Sequence, residues 1–392
     1  MKRRFLFVLR GRPGLGHVMP GYALAQELKR HGHVVRILTY RNGTAFLAHA
    51  GWDDLVDVVV ESAYRDWPGL DLYDHGVGVL LPLVEEFEPD VVVLGGEYLL
   101  APLGEVVHAP VGLIYNPEIF QRSNRNRLAG RAFGALLRRC DFLLPMCPAP
   151  TGDLLDAGRT VVRRSWPPGP FRPGPSREDA TRRDTRGLSL VIANGGGIDF
   201  PTAARSYASV DVDPELWLTE TAEMTQASIA AALAVASDDD TIAVFSCLGP
   251  EPNREISRLT DDRRVMIEQP GSTYLEAVEH ADVVISRAGS GFVADAEASR
   301  AHVVLWALTH HDEQQANAEG LVRRRAGTAR CRSARDLRLA VAEAVMRARR
   351  GPPHWNAMSK RHAQVEHTRV TASRLVELAT SAPTSHDLDE GA

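Results

Sequence analysis

Three glycine-bearing segments hold the residues best suited to bind an anion. They are residues 11–16, which lead to His17, and residues 193–197 (ANGGG) and 286–292 (SRAGSGF). Each follows an apolar run, and the first and third lead into helical patterns. Glycine lets a backbone or ligand approach closely because it has no Cβ, and a helix N-terminus offers free N–H groups to a phosphate. The pattern indicates phosphate binding or, as the alternative, tight turns between strands and helices.

A fourth segment, residues 308–321 (LTHHDEQQANAEGL), concentrates polar side chains directly after an apolar run. Adjacent carboxylates and amides accept and donate hydrogen bonds together, which suits recognition of neighbouring hydroxyl groups. A plain polar loop before a helix is one alternative. A metal site is a weaker one, because no spaced ligand pattern such as HExxH accompanies the histidines.

Two common nucleotide motifs are missing from the sequence. The glycine segments do not form the GxGxxG fingerprint in its usual setting, and none matches GxxxxGK[ST]. Simple NAD or ATP chemistry is therefore disfavoured.

The elements that position these segments follow a repeating rhythm. Apolar runs of strand length alternate with helical patterns, which predicts βα units, parallel sheets and an α/β fold. The runs are nearly all apolar, as expected when both faces of a sheet are covered. The predicted strands include residues 5–9, 34–39, 90–96, 109–115, 141–145, 188–197, 241–249, 264–271, 281–291 and 302–308. Ligands of such sheets bind beyond the carboxyl ends of the strands.

The length of 392 residues predicts two domains. We expect a first domain over 1–170, a linker rich in proline and arginine over 171–187, and a second domain over 188–351. A final helix over 352–380 and a frayed tail over 381–392 complete the chain. The helix carries a stripe of apolar residues that we expect to be core: Val365, Val370, Leu375 and Leu378. The linker arginines are interpreted as a solvated face rather than a polyanion site.

Composition restricts the partners. The net charge of −5 gives no overall attraction to nucleic acid. The four cysteines form no CxxC pair, which favours free thiols in a reducing cytoplasm over a zinc site or disulfides. The apolar run near the N-terminus is too short for a signal peptide core or a membrane span, so we expect a cytoplasmic protein.

Residues 14–35 (GLGHVMPGYALAQELKRHGHVV) and 283–321 together resemble the GT-B nucleotide-sugar glycosyltransferases. The pattern is closest to the peptidoglycan lipid-intermediate N-acetylglucosaminyltransferases and to related small-molecule glycosyltransferases. The resemblance implies two Rossmann-like domains that face each other across a cleft, with a C-terminal helix that crosses back to the first domain. It is strongest over residues 14–35 and 264–321.

The resemblance also implies a donor site on the second domain. Gly289, Ser290 and Gly291 would hold the diphosphate, and Asp295, the shorter acid at this position, would contact the ribose. Backbone of 265–269 would contact the base. The full implied donor set is Gly14, Gly16, Asn194, Gly195, Gly196, Glu268, Arg287, Gly289, Ser290, Gly291, Asp295, His311, Glu313, Gln314 and Asn317, with Asn194, Gly195 and Gly196 toward the phosphates and Glu313 and Gln314 on sugar hydroxyls.

For catalysis the resemblance favours His17 as general base, because an imidazole with a pKa near 6.5 can take a proton from a hydroxyl. A purely orienting role for His17 is the alternative, and Glu97 and then Glu118 are the next candidates for the base. The leaving diphosphate would be stabilised by backbone amides and Arg287 without a metal.

The expected donor is a nucleoside-diphosphate sugar, with UDP favoured over dTDP or GDP, and no other cofactor. The expected acceptor is a small molecule of bacterial natural-product biosynthesis. The acidic residues within 62–80 disfavour membrane association. The alternatives are a lipid-linked cell-wall acceptor, a nucleotide-sugar hydrolase or 2-epimerase, and a non-catalytic binding subunit. Either a monomer or a homodimer fits the sequence.

Overall fold

The structure is a computed structural model, and it describes twelve segments of the chain. They are residues 1–11, 15–40, 42–57, 68–115, 134–146, 164–165, 187–194, 214–246, 261–268, 272–309, 311–354 and 357–381. The chain divides into two compact units. The first comprises Met1–Gly11, His17–Gly174 and Gln364–Ala392, and the second comprises Arg12–Gly16 and Pro175–Ala363.

The first unit contains a seven-stranded parallel sheet in the order β3-β2-β1-β4-β5-β6-β7. Its strands are β1 (Arg4–Leu9), β2 (Val34–Thr39), β3 (Leu55–Asp57), β4 (Val91–Gly95), β5 (Val111–Tyr115), β6 (Phe142–Pro145) and β7 (Arg164–Ser165). Its first helices are α1 (Val18–Arg30), α2 (Asn42–His49), α3 (Pro68–Phe87) and a 3₁₀ helix at Tyr98–Glu105. Strand order reverses between β1 and β4, which is the topological switch point where open α/β sheets bind ligands.

The second unit contains a six-stranded parallel sheet in the order β10-β9-β8-β11-β12-β13. Its strands are β8 (Ser189–Asn194), β9 (Thr241–Ser246), β10 (Val265–Glu268), β11 (Val283–Arg287), β12 (His302–Trp306) and β13 (Thr328–Cys331). Its helices are α4 (Pro214–Val235), α5 (Ser272–His280), α6 (Ser290–Ala298), α7 (Asp312–Arg324) and α8 (Ala334–Ala348). The switch point here lies between β8 and β11.

Each face of the second sheet is covered by helices. Apolar residues of α4 and α8 pack on one face, and apolar residues of α5, α6 and α7 pack on the other. Because both faces are buried, the central strands are almost entirely apolar. The α/β prediction of two parallel sheets is confirmed.

In the last helix, α9 (Ala357–Ser381), the residues from Gln364 onward belong to the first unit. Val365, Leu375 and Leu378 are buried, but Val370 is 41% exposed. The prediction that Val370 belongs to the buried stripe is therefore wrong. Five residues rotate a helix by about 140°, so Val370 points well away from both Val365 and Leu375.

The predicted strand positions agree with the structure, but several ends differ. The run predicted over 188–197 ends as a strand at Asn194, and the run predicted over 281–291 forms β11 only over Val283–Arg287. Among the described helices, none combines the length and the apolar character needed to cross a membrane.

Candidate functional site

At the switch point of the first unit, His17 lies against the end of β4. His17 immediately precedes α1 and does not cap it with its side chain. Gly96 has a φ of +74°, and a Cβ placed there would lie 2.5 Å from Cγ and Cδ2 of the His17 ring. The imidazole therefore packs directly on the Gly96 backbone, and only glycine fits that position.

Glu97 follows Gly96 and is buried, with 5% of its surface exposed. The hydroxyl of Tyr40 donates a hydrogen bond of 2.7 Å to Oε1 of Glu97. Tyr40 directly follows β2, and β2, β1 and β4 are neighbours in the sheet. The carboxyl ends of three adjacent strands thus supply Tyr40, His17 and Glu97. A hydroxyl donor stabilises the ionised form of a buried carboxylate.

The electrostatic environment keeps His17 neutral. Burial, with a smaller contribution from the positive charge of Arg10, lowers the pKa of His17 to about 3. A neutral imidazole retains a lone pair that can accept a proton. The low pKa also makes this ring a weaker base than an exposed imidazole.

At the switch point of the second unit, the N-terminus of α6 is open. Gly289 is extended at the N-cap position and provides no side-chain cap. A Cβ at Gly291 would meet no described atom within 4 Å, and one at Gly289 would meet only Phe292 at 3.7 Å. Neither packing among the described residues nor a positive φ requires glycine here. The free space and the N–H groups of the first helical turn suit an anion.

A buried polar row lies beside this helix start. Arg287, at the end of β11, is 5% exposed and donates from Nη1 to Oγ1 of Thr221 at 3.4 Å. Asn194, at the end of β8, donates from Nδ2 to Oγ1 of Thr225. Thr225 in turn donates to the carbonyl oxygen of Thr221 at 2.6 Å. Arg287 thus brings a positive charge to the switch point beside the open helix.

Thr221, Thr225 and Tyr40 were not predicted from the sequence. The only signal in the sequence for the two threonines is their spacing of four residues, which places both on one face of α4. Their partners lie 66 and 31 residues away in the sequence.

The start of α7 is tied down by three of the predicted ligand residues. Nδ1 of His311 accepts a hydrogen bond from the backbone N–H of Gln314 at 3.5 Å. Oε1 of Gln314 accepts from the backbone N–H of Leu308 at 3.1 Å. Nδ2 of Asn317 donates to the carbonyl of Ala288 at 3.1 Å. Each side chain therefore uses one polar atom to shape the turns around the helix starts.

His311 is neutral as well. Burial, and secondly the charge of Arg287, lower its pKa to about 4. A neutral ring is required for the observed cap, because Nδ1 must offer a lone pair to the N–H of Gln314.

The turn before α7 is also fixed from α4. The backbone N–H of Thr309 lies 3.0 Å from both carboxylate oxygens of Glu220, and the Thr309 hydroxyl donates to Oε1 at 2.7 Å. α4 therefore contacts three parts of the candidate site through Glu220, Thr221 and Thr225.

The remaining predicted residues lie on other parts of the described elements or outside the described segments. Gly14, Glu118, Gly195 and Gly196 fall outside the described residues. Ser290 and Glu313 lie in α6 and α7, but their side chains are not described. Gly16 is exposed, Asp295 lies partly buried on α6, and Glu268 ends β10. Within the described segments, no group of three or more His, Cys, Asp or Glu side chains is arranged to hold a metal.

Comparison with known proteins gives a family match and a curated relative. Residues 244–374 match the family described as glycosyltransferase family 28 C-terminal domain. A curated relative from Rhodospirillum centenum, UDP-N-acetylglucosamine--N-acetylmuramyl-(pentapeptide) pyrophosphoryl-undecaprenol N-acetylglucosamine transferase, is 33% identical over 156 residues. That alignment covers 37% of this chain and 38% of the relative, so the match spans well under half of either protein.

Two solved structures match nearly the whole chain. The glycosyltransferase of kitacinnamycin has a TM-score of 0.58 at 18% identity and covers 96% of this chain and 99% of its own. A putative UDP-N-acetylglucosamine 2-epimerase from Listeria monocytogenes has a TM-score of 0.57 at 10% identity, with 96% and 95% covered. At these identities the likeness concerns the fold. The chain therefore has the fold of the GT-B glycosyltransferases and, over residues 244–374, matches their family 28 C-terminal domain.

Proposed function

We propose that the protein is a glycosyltransferase that moves a sugar from a nucleoside-diphosphate sugar to a hydroxyl group of a small-molecule acceptor. The observation that carries the proposal is the N-terminus of α6, where the described residues leave space around Gly289 and Gly291 next to the buried cation Arg287. This arrangement lies within the segment that matches the family 28 C-terminal domain.

The donor diphosphate is assigned to this helix start. The N–H groups of the first turn and the guanidinium of Arg287 would stabilise the charge that develops on the leaving diphosphate, without a metal ion. A UDP-sugar is the first donor to test, because the names of the Rhodospirillum relative and of the Listeria structure both contain UDP-N-acetylglucosamine. dTDP- and GDP-sugars follow.

The acceptor proton is assigned to the first unit. The acceptor oxygen forms a bond to the anomeric carbon, the bond from that carbon to the diphosphate oxygen breaks, and the hydroxyl proton passes to neutral His17. Glu97, held by Tyr40, would orient the acceptor hydroxyl. General-base catalysis of this kind contributes about 10²- to 10⁴-fold.

A small natural product is the favoured acceptor, since the kitacinnamycin glycosyltransferase matches nearly the whole chain. The name of the Rhodospirillum relative contains a lipid-linked acceptor, undecaprenol, so that class is tested beside it. Turnover measured with a small natural product and with a lipid-linked acceptor decides the acceptor class. Binding of the donor without turnover of either acceptor would indicate a non-catalytic subunit.

A second candidate is a nucleotide-sugar 2-epimerase or hydrolase, because the Listeria 2-epimerase shares the fold almost as well. Mass spectrometry and NMR of UDP-N-acetylglucosamine incubated without acceptor separate the candidates. Free sugar or an epimerised nucleotide sugar would favour this second candidate over the transferase.

A thermal-shift panel of UDP-, dTDP-, GDP- and ADP-sugars tests the proposal. A ligand that binds only the folded state raises the melting temperature by mass action. We expect one nucleotide class to raise it, and Gly291→Leu, which fills the free space at α6, to abolish that rise. Gly78→Leu is the matched control, because Gly78 is an exposed glycine in α3 that also has no described neighbour within 4 Å. No response to any nucleotide sugar contradicts the proposal.

A further inference from the structure

The buried polar row at the end of β8 contains an acceptor atom that has no donor among the described residues. Asn194 is 1% exposed, and it is paired in the sheet with Ser246 of β9. Its Nδ2 is bonded to Thr225, but its Oδ1 is buried and has no hydrogen-bond partner among the described residues. Burial of an unpaired amide oxygen costs free energy, so such an atom calls for a partner.

The orientation of the Asn194 amide follows from counting protons. The hydroxyl of Thr225 has a single hydrogen, and it donates that hydrogen to the carbonyl of Thr221. The oxygen of Thr225 can therefore only accept from Asn194, which requires Nδ2 on that side. The unpaired atom is consequently the acceptor Oδ1 and not the donor NH₂.

This assignment restricts the chemistry of the missing partner. A phosphate oxygen is itself an acceptor and would repel Oδ1, whereas a hydroxyl group can donate to it. Arg287 occupies the adjacent position on β11, since Ser286 pairs with Ala193 in the sheet. The row therefore places a cation suited to the diphosphate next to a neutral acceptor suited to a hydroxyl.

We infer that Oδ1 of Asn194 accepts a hydrogen bond from a hydroxyl group of the donor nucleotide sugar, and that Thr225 is the positioning residue that aims it. The inference rests on the proposed function, which supplies the nucleotide sugar. It assigns to Asn194 the recognition of a hydroxyl, separate from the binding of phosphate at α6. The hydroxyl belongs either to the ribose or to the transferred sugar.

Calorimetric titration of wild type and Asn194→Leu with three ligands tests the inference. For the base selected by the thermal-shift panel, the ligands are the 2′,3′-dideoxynucleoside diphosphate, the ribonucleoside diphosphate and the diphosphate sugar. The dideoxy ligand has no hydroxyl on its ribose. We expect Asn194→Leu to weaken binding about three- to tenfold for a ligand with the recognised hydroxyl and to leave the dideoxy ligand unchanged.

The ligand at which the loss first occurs identifies the source of the hydroxyl. Loss with the ribonucleoside diphosphate indicates the ribose, and loss only with the diphosphate sugar indicates the transferred sugar. Equal loss with all three ligands, or no loss with any, overturns the inference. Failure of wild type to bind any of them overturns the proposed function as well.

Two variants on α4 control for folding. Thr225→Val keeps Asn194 but removes the group that aims it, so we expect a smaller loss with the same dependence on ligand. Ser228→Ala removes a buried hydroxyl that donates only to the carbonyl of Met224, one turn back on the same helix. Ser228→Ala should leave all three affinities unchanged. A loss of affinity for Ser228→Ala equal to that for Thr225→Val would show that the packing of α4, and not the orientation of Asn194, is responsible.

Discussion

The switch points of the two sheets use glycine in opposite ways. In the first unit, Gly96 has a left-handed φ and is in contact with the His17 ring, so the fold itself occupies the space that the glycine leaves. In the second unit, a Cβ at Gly291 would meet no described atom within 4 Å, and one at Gly289 would be in ordinary contact with Phe292 only. The same topological position thus serves to hold a side chain in the first unit and to leave room in the second. The proposed function assigns chemistry to the first of these positions and binding of an anion to the second.

The largest expected effect is on turnover. If the first switch point carries the chemistry, His17→Phe should lower kcat about 10²- to 10⁴-fold while the Kd of the donor stays unchanged. Because the pKa of His17 is about 3, the acid limb of the wild-type kcat/KM profile should lie well below pH 6.5. His31→Phe, at the exposed end of α1, is the control. A weakened donor Kd for His17→Phe would erase the distinction between the two regions.

The next largest effect is on the free energy of unfolding, which should distinguish Gly96 from Gly291. Gly96→Ala forces a side chain into a left-handed backbone and into the His17 ring, so we expect it to lower the free energy of unfolding by about 2–4 kcal/mol. Gly291→Ala should change it by less than about 1 kcal/mol. Urea unfolding measures both, and similar values for the two variants would contradict the comparison.

Donor affinity tests the second region. Arg287→Met replaces the buried cation with an uncharged side chain of similar length. The lost charge-assisted hydrogen bonds are worth about 1.5–3 kcal/mol, so we expect the donor Kd to rise about 10- to 100-fold. Arg338→Met, at an exposed arginine of α8, should have no effect. If kcat fell while the Kd was unchanged, Arg287 would act in the chemical step and not in ground-state binding.

Acid should destabilise both regions through their histidines. The pKa values of His17 and His311 are lowered by burial, so the unfolded chain binds more protons between pH 6.5 and 4. The stabilisation is complete above pH 6.5 and is lost as the pH falls, by up to about 2 kcal/mol per histidine at pH 5. His311→Asn keeps an N-cap acceptor without titrating, so it should reduce the loss between pH 7 and pH 5. An unchanged loss would contradict a neutral His311 in the fold.

The smallest expected effect concerns the two buried thiols, which should not react with an alkylating reagent. Cys140 lies in the core of the first unit and Cys331 in the core of the second, and burial raises the pKa of each thiol to about 12. Iodoacetamide at pH 8 should label neither in the folded protein. In Gly96→Ala, labelling of Cys140 should increase before that of Cys331. Equal labelling would show that the two units open together.

The sequence predicts the regular parts of the fold well because their signal is local. Apolar runs such as 34–39 and 302–306 are strands in the structure. β13 (Thr328–Cys331) was not predicted, because an edge strand with polar residues lacks a continuous apolar run. The glycine segment 286–292 was predicted to lead into a helix for the same local reason, and α6 begins within it.

Contacts between distant residues could not be predicted. The bond from Tyr40 to Glu97 joins residues 57 apart, and that from Arg287 to Thr221 joins residues 66 apart. Gln314 and Asn317 have the polarity of ligand residues, yet each uses one polar atom in a hydrogen bond to the backbone of a turn. Polarity indicates that a side chain needs partners, but only the fold determines which partners it has.

The final helix sets the order in which the protein can be completed during synthesis. The first unit includes residues from Gln364 onward, where Arg369 of α9 lies 3.7 Å from the buried carboxylate of Glu27 on α1. All residues of the second unit precede that segment. On the ribosome, the unit translated second is therefore the first whose sequence has emerged in full. The first unit waits for α9 before all of its residues are available.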